Sequence, residues 1–208
     1  MIELYTWKTA NCQKVNIALC EIGLPFRVHP IDLTRGEQKS ADHLARNPNG
    51  KVPVVTDTET GITLFESGAI LLYLANKARC LMPEGDAQKW RAIQWIFWQM
   101  AGLGPNAAQV IHFSNAPDGG EEALTRFRGE LERLFGVLER ELTGKSYLVE
   151  DYSMADISIW PWVSRFRRVG LELYDYPEIK RWYLAIADRP GVVDGVRLLQ
   201  PEAEIAKP

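Results

Sequence analysis

The sequence predicts an α/β domain followed by an all-helical one. Three observations carry that prediction. Over roughly the first 80 residues, short apolar runs of strand type alternate with runs at helical spacing. Beyond residue 88 the strand signals stop, and apolar residues recur only at helical intervals. Between the two lies Cys80-Leu-Met-Pro-Glu-Gly-Asp86, a run of turn residues. The expected organisation is therefore a first domain over residues 1–79, a linker over about 80–87, and a helical domain over 88–208.

Within the first domain, residues 2–6 read as a strand, 11–21 as a helix, and 26–32 as a second strand after Gly23-Leu-Pro25, which makes a βαβ unit. A short helix over 38–46 follows. Residues 52–56 and 63–65 then read as a hairpin closed around Thr60-Gly61, and a helix begins at Ser67. The order βαβαββα, with right-handed crossovers and a proline before the third strand, resembles the thioredoxin-like fold.

In the second domain a long helical pattern over 88–113 is interrupted at Gly102-Leu-Gly-Pro105, where missing side chains and a missing N–H predict a bend. Residues 121–142 carry Leu124, Phe127, Leu131, Leu134 and Leu138 at helical spacing, and Gly144 ends that helix. Ser153 and Asp156 stand three apart at a helix start, the spacing of a capping box with Asp in place of Glu; Tyr152 and Ile157 occupy the flanking staple positions. Two further helices are expected over 177–188 and 190–199. Trp90, Trp95, Trp98, Trp160 and Trp162 fit core packing or a subunit contact, with an aromatic ligand cage as the alternative.

A chain of 208 residues with 46% hydrophobic residues and a net charge of −3 gives no electrostatic reason to bind nucleic acid or an anionic membrane. No apolar stretch approaches the ~18 residues of a membrane span, and the N-terminus does not read as a secretory signal, so a cytoplasmic location is expected. Cys12, Cys20 and Cys80 form no disulfide framework. Neither they nor His29, His43 and His112 show metal-ligand spacing, so no metal is expected.

The chemistry concentrates between Lys51 and Tyr73. Val52-Pro53 is an X-Pro bond, where the cis form costs only about 0.5–1 kcal/mol; a cis bond here would turn Val52 outward and leave its N–H and C=O free for an extended peptide. Ser67, just before an apolar helical run, reads as the helix N-cap, an end that attracts carboxylates. Glu66 supplies the opposite sign for an α-amino group. Together they suit a small, charged, peptide-like ligand.

This arrangement resembles the glutathione site of the glutathione transferase family. Several longer matches point to its Nu class: Thr9-x-Asn11 followed by Lys14, Asn47-Pro48-Asn49-x-Lys51-Val52-Pro53, Leu64 through Ala75, Gln94-Trp95-x-Phe97-Trp98-Gln99-x-x-Gly102-Leu103-Gly104-Pro105, and Ile159-Trp160-Pro161-Trp162-Val163. The resemblance implies a homodimer that binds reduced or oxidised glutathione as cosubstrate and reduces small disulfides without a protein cysteine. By the same resemblance, Thr9 and Asn11 are the catalytic residues facing the sulfur. Gln38, Val52, Pro53, Glu66 and Ser67 bind glutathione, and Arg126 reaches in from the partner subunit; a solvated surface arginine is the alternative for Arg126.

Such chemistry must lower a thiol pKa of about 8.5, and two units of lowering correspond to about 2.7 kcal/mol. Thr9 and Asn11, before the first helix, are donors of the right kind. Tyr5, in the strand where tyrosine classes of the family carry theirs, is a rival. Cys12 departs from the class pattern and is either an inert thiol or one acidified by the helix end. Three functions compete: glutathione-dependent disulfide reduction, conjugation of glutathione to an electrophile, and non-enzymatic binding.

Overall fold

The computed structural model describes residues 1–116 and 120–208. The chain divides into two compact units, Met1–Met82 with Asp188–Ile205, and Pro83–Ala187 with Ala206–Pro208.

The first unit is thioredoxin-like. Strand β1 (Ile2–Thr6) leads through helix α1 (Ala10–Ile22) to β2 (Phe26–Pro30); helix α2 (Ala41–Arg46), strands β3 (Val54–Asp57) and β4 (Thr63–Phe65), and helix α3 (Ser67–Ala78) follow. The four strands lie in the order β2-β1-β3-β4, with β1 parallel to β2 and antiparallel to β3, and β3 antiparallel to β4. Burial alternates along β1: Ile2, Leu4 and Thr6 are inside, while Glu3 and Tyr5 face the other way. The inward face joins a core with Val15, Ile17 and Leu19 of α1 and Ile70, Leu71 and Leu74 of α3.

Three local expectations are corrected. The segment expected as one helix over 38–46 is split, because Ser40 is extended and caps α2 by accepting from the His43 N–H, leaving Glu37–Lys39 as a separate 3-10 turn. The strand expected from Val52 starts at Val54, after the cis Val52-Pro53 bond. Ser67 is the first helical residue of α3 rather than its cap. Glu66 holds the cap position at φ 71° and ψ 112°, with no side-chain capping bond.

The second unit is helical: α4 (Asp86–Trp98), α5 (Gly104–Ser114), α6 (Glu121–Leu142), α7 (Met154–Val163) and α8 (Pro177–Ala187). The interruption around Gly102 is a π-helical turn, Gln99–Leu103, rather than a break. Pro105 in the first turn of α5 has no N–H to close an α-type bond to residue 101. The capping box of α7 is complete, with Ser153 Oγ accepting from the Ala155 N–H and Asp156 Oδ2 from the Ser153 N–H at 3.0 Å. Trp95 and Trp160 are buried, whereas Trp90 and Phe97 on α4 are exposed.

Helix α9 (Pro190–Arg197), expected in the helical domain, packs with the first unit instead. A Cβ on Gly195 would stand 2.6 Å from the Ile17 backbone, so glycine is what lets α9 lie directly on α1. Asn16 donates to the Gly195 carbonyl at 3.5 Å, and Arg189 closes the same contact on both carboxylate oxygens of Glu21. Among the described residues no helix is long and apolar enough to cross a membrane.

Candidate functional site

In the first unit, a cavity of about 270 Å³ is lined by Asn11, Asn47, Asn49, Lys51, Val52, Pro53, Glu66 and Ser67. Five of the residues singled out from the sequence therefore meet at one place: Asn11, Val52, Pro53, Glu66 and Ser67. Thr9, Gln38 and Arg126 do not line it. Thr9 is the N-cap of α1, two positions before Asn11. The Gln38 side-chain oxygen is buried without a hydrogen-bond partner, and Arg126 is an exposed residue of α6.

The cavity wall is built by three chain segments. At the start of α1, Thr9 Oγ1 accepts from the Cys12 N–H at 3.2 Å. The same Thr9 side chain also hydrogen-bonds the Cys12 thiol, so the hydroxyl sits between the start of α1 and a sulfur. The start of α3 supplies the second wall, where Ile70 N–H bonds the Glu66 carbonyl and the preceding amides have no intrahelical acceptor. Glu66 holds a positive φ that a residue with a Cβ adopts at a cost of about 1–3 kcal/mol, and such strain concentrates at ligand sites. Lys14, fully buried, brings its Nζ to Ser67 Oγ at 3.3 Å, so a nitrogen donor stands beside the positive end of α3.

The third wall is the turn 47–52. Asn47, itself buried, accepts the Asn49 N–H on its side-chain oxygen and donates its amide to the Lys51 carbonyl at 2.8 Å. Gly50 closes the turn at φ 62°, where a side chain would be strained. Among the described residues, neither the Val52 N–H nor its C=O has a hydrogen-bond partner. Asn47, Asn49 and Lys51 were not given binding roles from the sequence, although they belong to the Asn-Pro-Asn-x-Lys stretch that ends in Val52-Pro53. The cavity thus presents amides, the unpaired Val52 backbone, a carboxylate and the positive end of a helix, the complement of an extended peptide with both charges.

None of the three thiols is activated. Burial pushes the Cys12 thiol up against weaker opposing hydrogen bonds from Thr9, Thr6 and the Trp7 amide, whose N–H reaches Sγ at 3.3 Å. Cys20 is pushed up to about 11 by burial, with Asp194 and Glu21 adding to it. Desolvation also raises Cys80. Tyr5 is engaged elsewhere, stacked on His29 with centroids 4.7 Å apart and covered by the Arg46 guanidinium at 4.5 Å. It does not line the cavity. Among the described residues there is no cluster that would hold a metal ion.

Residues 1–76 match the family model described as "Glutathione S-transferase, N-terminal domain", and residues 121–185 match the one described as "Glutathione S-transferase, C-terminal domain". The chain is similar to the disulfide-bond oxidoreductase YfcG of Escherichia coli K12, 39% identical over 198 residues that cover 92% of each chain. It is also similar to two solved glutathione transferases. One, from Burkholderia graminis, has two glutathione molecules bound per subunit (36% identity, TM-score 0.88, 98% of this chain and 89% of that one). The other, from Pseudomonas putida, has one glutathione disulfide bound per subunit (34% identity, TM-score 0.90, 95% and 91%).

Proposed function

The chain belongs to the glutathione S-transferase family, and from that membership we propose that it is a glutathione-dependent disulfide-bond oxidoreductase. One observation carries the reading: a cavity suited to a zwitterionic peptide adjoins a helix start whose own cysteine is buried and unactivated. The reacting sulfur then belongs to the ligand.

In the first step a glutathione thiolate attacks a small disulfide, forming a mixed disulfide and expelling one substrate thiolate. A second glutathione thiolate attacks the glutathione sulfur of that mixed disulfide, which yields glutathione disulfide and releases the other thiolate. The Thr9 hydroxyl and the Asn11 amide donate to the attacking sulfur at the positive end of α1 and favour its ionised form. Val52 pairs with the cysteinyl backbone. Glu66 takes the α-ammonium, while Ser67 and the α3 amides take the α-carboxylate. Gln38 contacts the glycyl end. Arg126 reaches across from a second subunit of a homodimer, for which the exposed Trp90 and Phe97 of α4 offer apolar surface. The reaction belongs in the cytoplasm, where glutathione is held reduced and three free cysteines persist.

The test is turnover of hydroxyethyl disulfide with glutathione, beside conjugation of a dinitrophenyl halide. Disulfide reduction that survives Cys12→Ala is expected. Loss of turnover in Cys12→Ala would move the chemistry to the protein thiol, and conjugation without disulfide reduction would make the protein a conjugating transferase.

A further inference from the structure

We propose that His43, which does not line the cavity, is the positioning residue that aims the Val52 N–H at glutathione; this rests on the glutathione reading of the site. His43 is 1% exposed, on α2. Its Nε2 lies 2.9 Å from the Lys51 carbonyl oxygen, and the Asn47 side-chain amide reaches the same oxygen at 2.8 Å. A carbonyl only accepts, so Nε2 carries the ring proton. Nδ1 is buried without a hydrogen-bond partner, so in the neutral ring, with the proton on Nε2, it carries the lone pair.

The consequence follows from peptide geometry. The Lys51–Val52 bond is trans, since the cis bond of this segment is the next one, Val52-Pro53. In a planar trans peptide the C=O and the following N–H point in opposite directions. Two donors that hold the Lys51 carbonyl toward α2 therefore turn the Val52 N–H away from α2. That N–H has no partner within the described chain, and Val52 lines the cavity. His43 and Asn47 together saturate the two lone pairs of one oxygen and so set the plane of the peptide that the ligand must meet. Asn47 does this from within the cavity wall, whereas His43 does it from behind.

His43→Phe keeps a ring of similar size and removes the donor, whereas His43→Gln carries an N–H near the place of Nε2. In the disulfide-reduction assay, His43→Phe is expected to raise KM for glutathione about threefold to tenfold, the range of one uncharged hydrogen bond, with kcat within twofold of wild type. His43→Gln is expected to restore KM to within twofold. Unchanged KM in His43→Phe, or a KM in His43→Gln as high as in His43→Phe, would overturn the assignment. Nitrogen-15 spectra of the ligand-free wild-type ring test it without any variant: protonated Nε2 and unprotonated Nδ1 are expected, and the reverse tautomer would overturn it. Failure of the wild type to turn over glutathione would instead overturn the proposed function and leave the ring assignment standing or falling on those spectra.

Discussion

Thr9 caps α1 by accepting the Cys12 N–H and also hydrogen-bonds the Cys12 thiol; the proposed function asks its hydroxyl to turn to the sulfur of the bound ligand. Removing one hydrogen bond to a charged group costs about 1.5–3 kcal/mol, so Thr9→Ala should lower kcat for disulfide reduction roughly tenfold to hundredfold. The donor favours the thiolate; without it the bound thiol ionises at higher pH. The acid limb of kcat against pH should therefore move upward in Thr9→Ala and stay in place in Cys12→Ala, a difference that steady-state kinetics from pH 5 to 9 would read. Residue types and spacing single out Asn11, Val52, Pro53, Glu66 and Ser67, and these five line one cavity. Asn47 and Lys51 were visible only as part of a matching stretch, because their contribution is the shape of a turn. His43 carries no signal in the sequence beyond the lack of metal-ligand spacing, since nothing in its neighbours announces that its ring meets a carbonyl eight residues away.

At the scale of elements, β3, the turn that follows it and α3 are tied by one carboxylate. Asp57 is buried and accepts from Tyr73 Oη, the Lys77 ammonium at 2.8 Å and the Glu59 N–H at 3.0 Å. Burial opposes its ionisation, but the Lys77 and Tyr73 hydrogen bonds outweigh that and hold the carboxyl well below the usual range. A carboxyl depressed in the folded state stabilises the fold above its unfolded value of about 3.9, and that stabilisation is lost as pH falls below it. The stability gap between wild type and Asp57→Asn should therefore be widest near neutrality and shrink below about pH 4, as denaturant titrations would show. In α7 the capping box was legible from Ser153 and Asp156, but the wider duty of Asp156 was not. Its other oxygen also takes the Leu148 N–H and the Trp182 indole N–H, at 3.1 and 2.8 Å. Ser153→Ala should cost about 1 kcal/mol. Asp156→Ala, which strands two buried donors as well, should cost well over twice that in the same titration.

At the scale of the whole molecule, the chain is organised by contact rather than by order. The last helix belongs with the first strand and helix, although more than 100 residues of another unit intervene. Gly195→Ala forces a Cβ into the Ile17 backbone and should destabilise the first unit by about 1–3 kcal/mol. A similar loss on replacing Gly129 of α6, whose Cβ would meet nothing, would argue against close approach as the reason. Sedimentation should report twice the 23.6 kDa of one chain, and charged substitutions at Trp90 and Phe97 together should shift it to the single-chain value without unfolding. A wild-type chain that sediments at 23.6 kDa would remove the homodimer.

By itself the sequence determined what depends on neighbours in the chain. Strand β1 and helices α6 and α7 follow from hydrophobic period and caps, and the acid-hydroxyl pair at the start of α3 follows from residue type at a helix start. Tertiary structure decided what depends on residues distant in sequence: the seat of α9 on α1, the strained cap position of Glu66, the burial that pushes the Cys12 thiol up, and the pair of donors on the Lys51 carbonyl. The physical reason is the same in each case. Burial and hydrogen-bond geometry are properties of a surrounding, and a local pattern specifies the residue without specifying what will surround it.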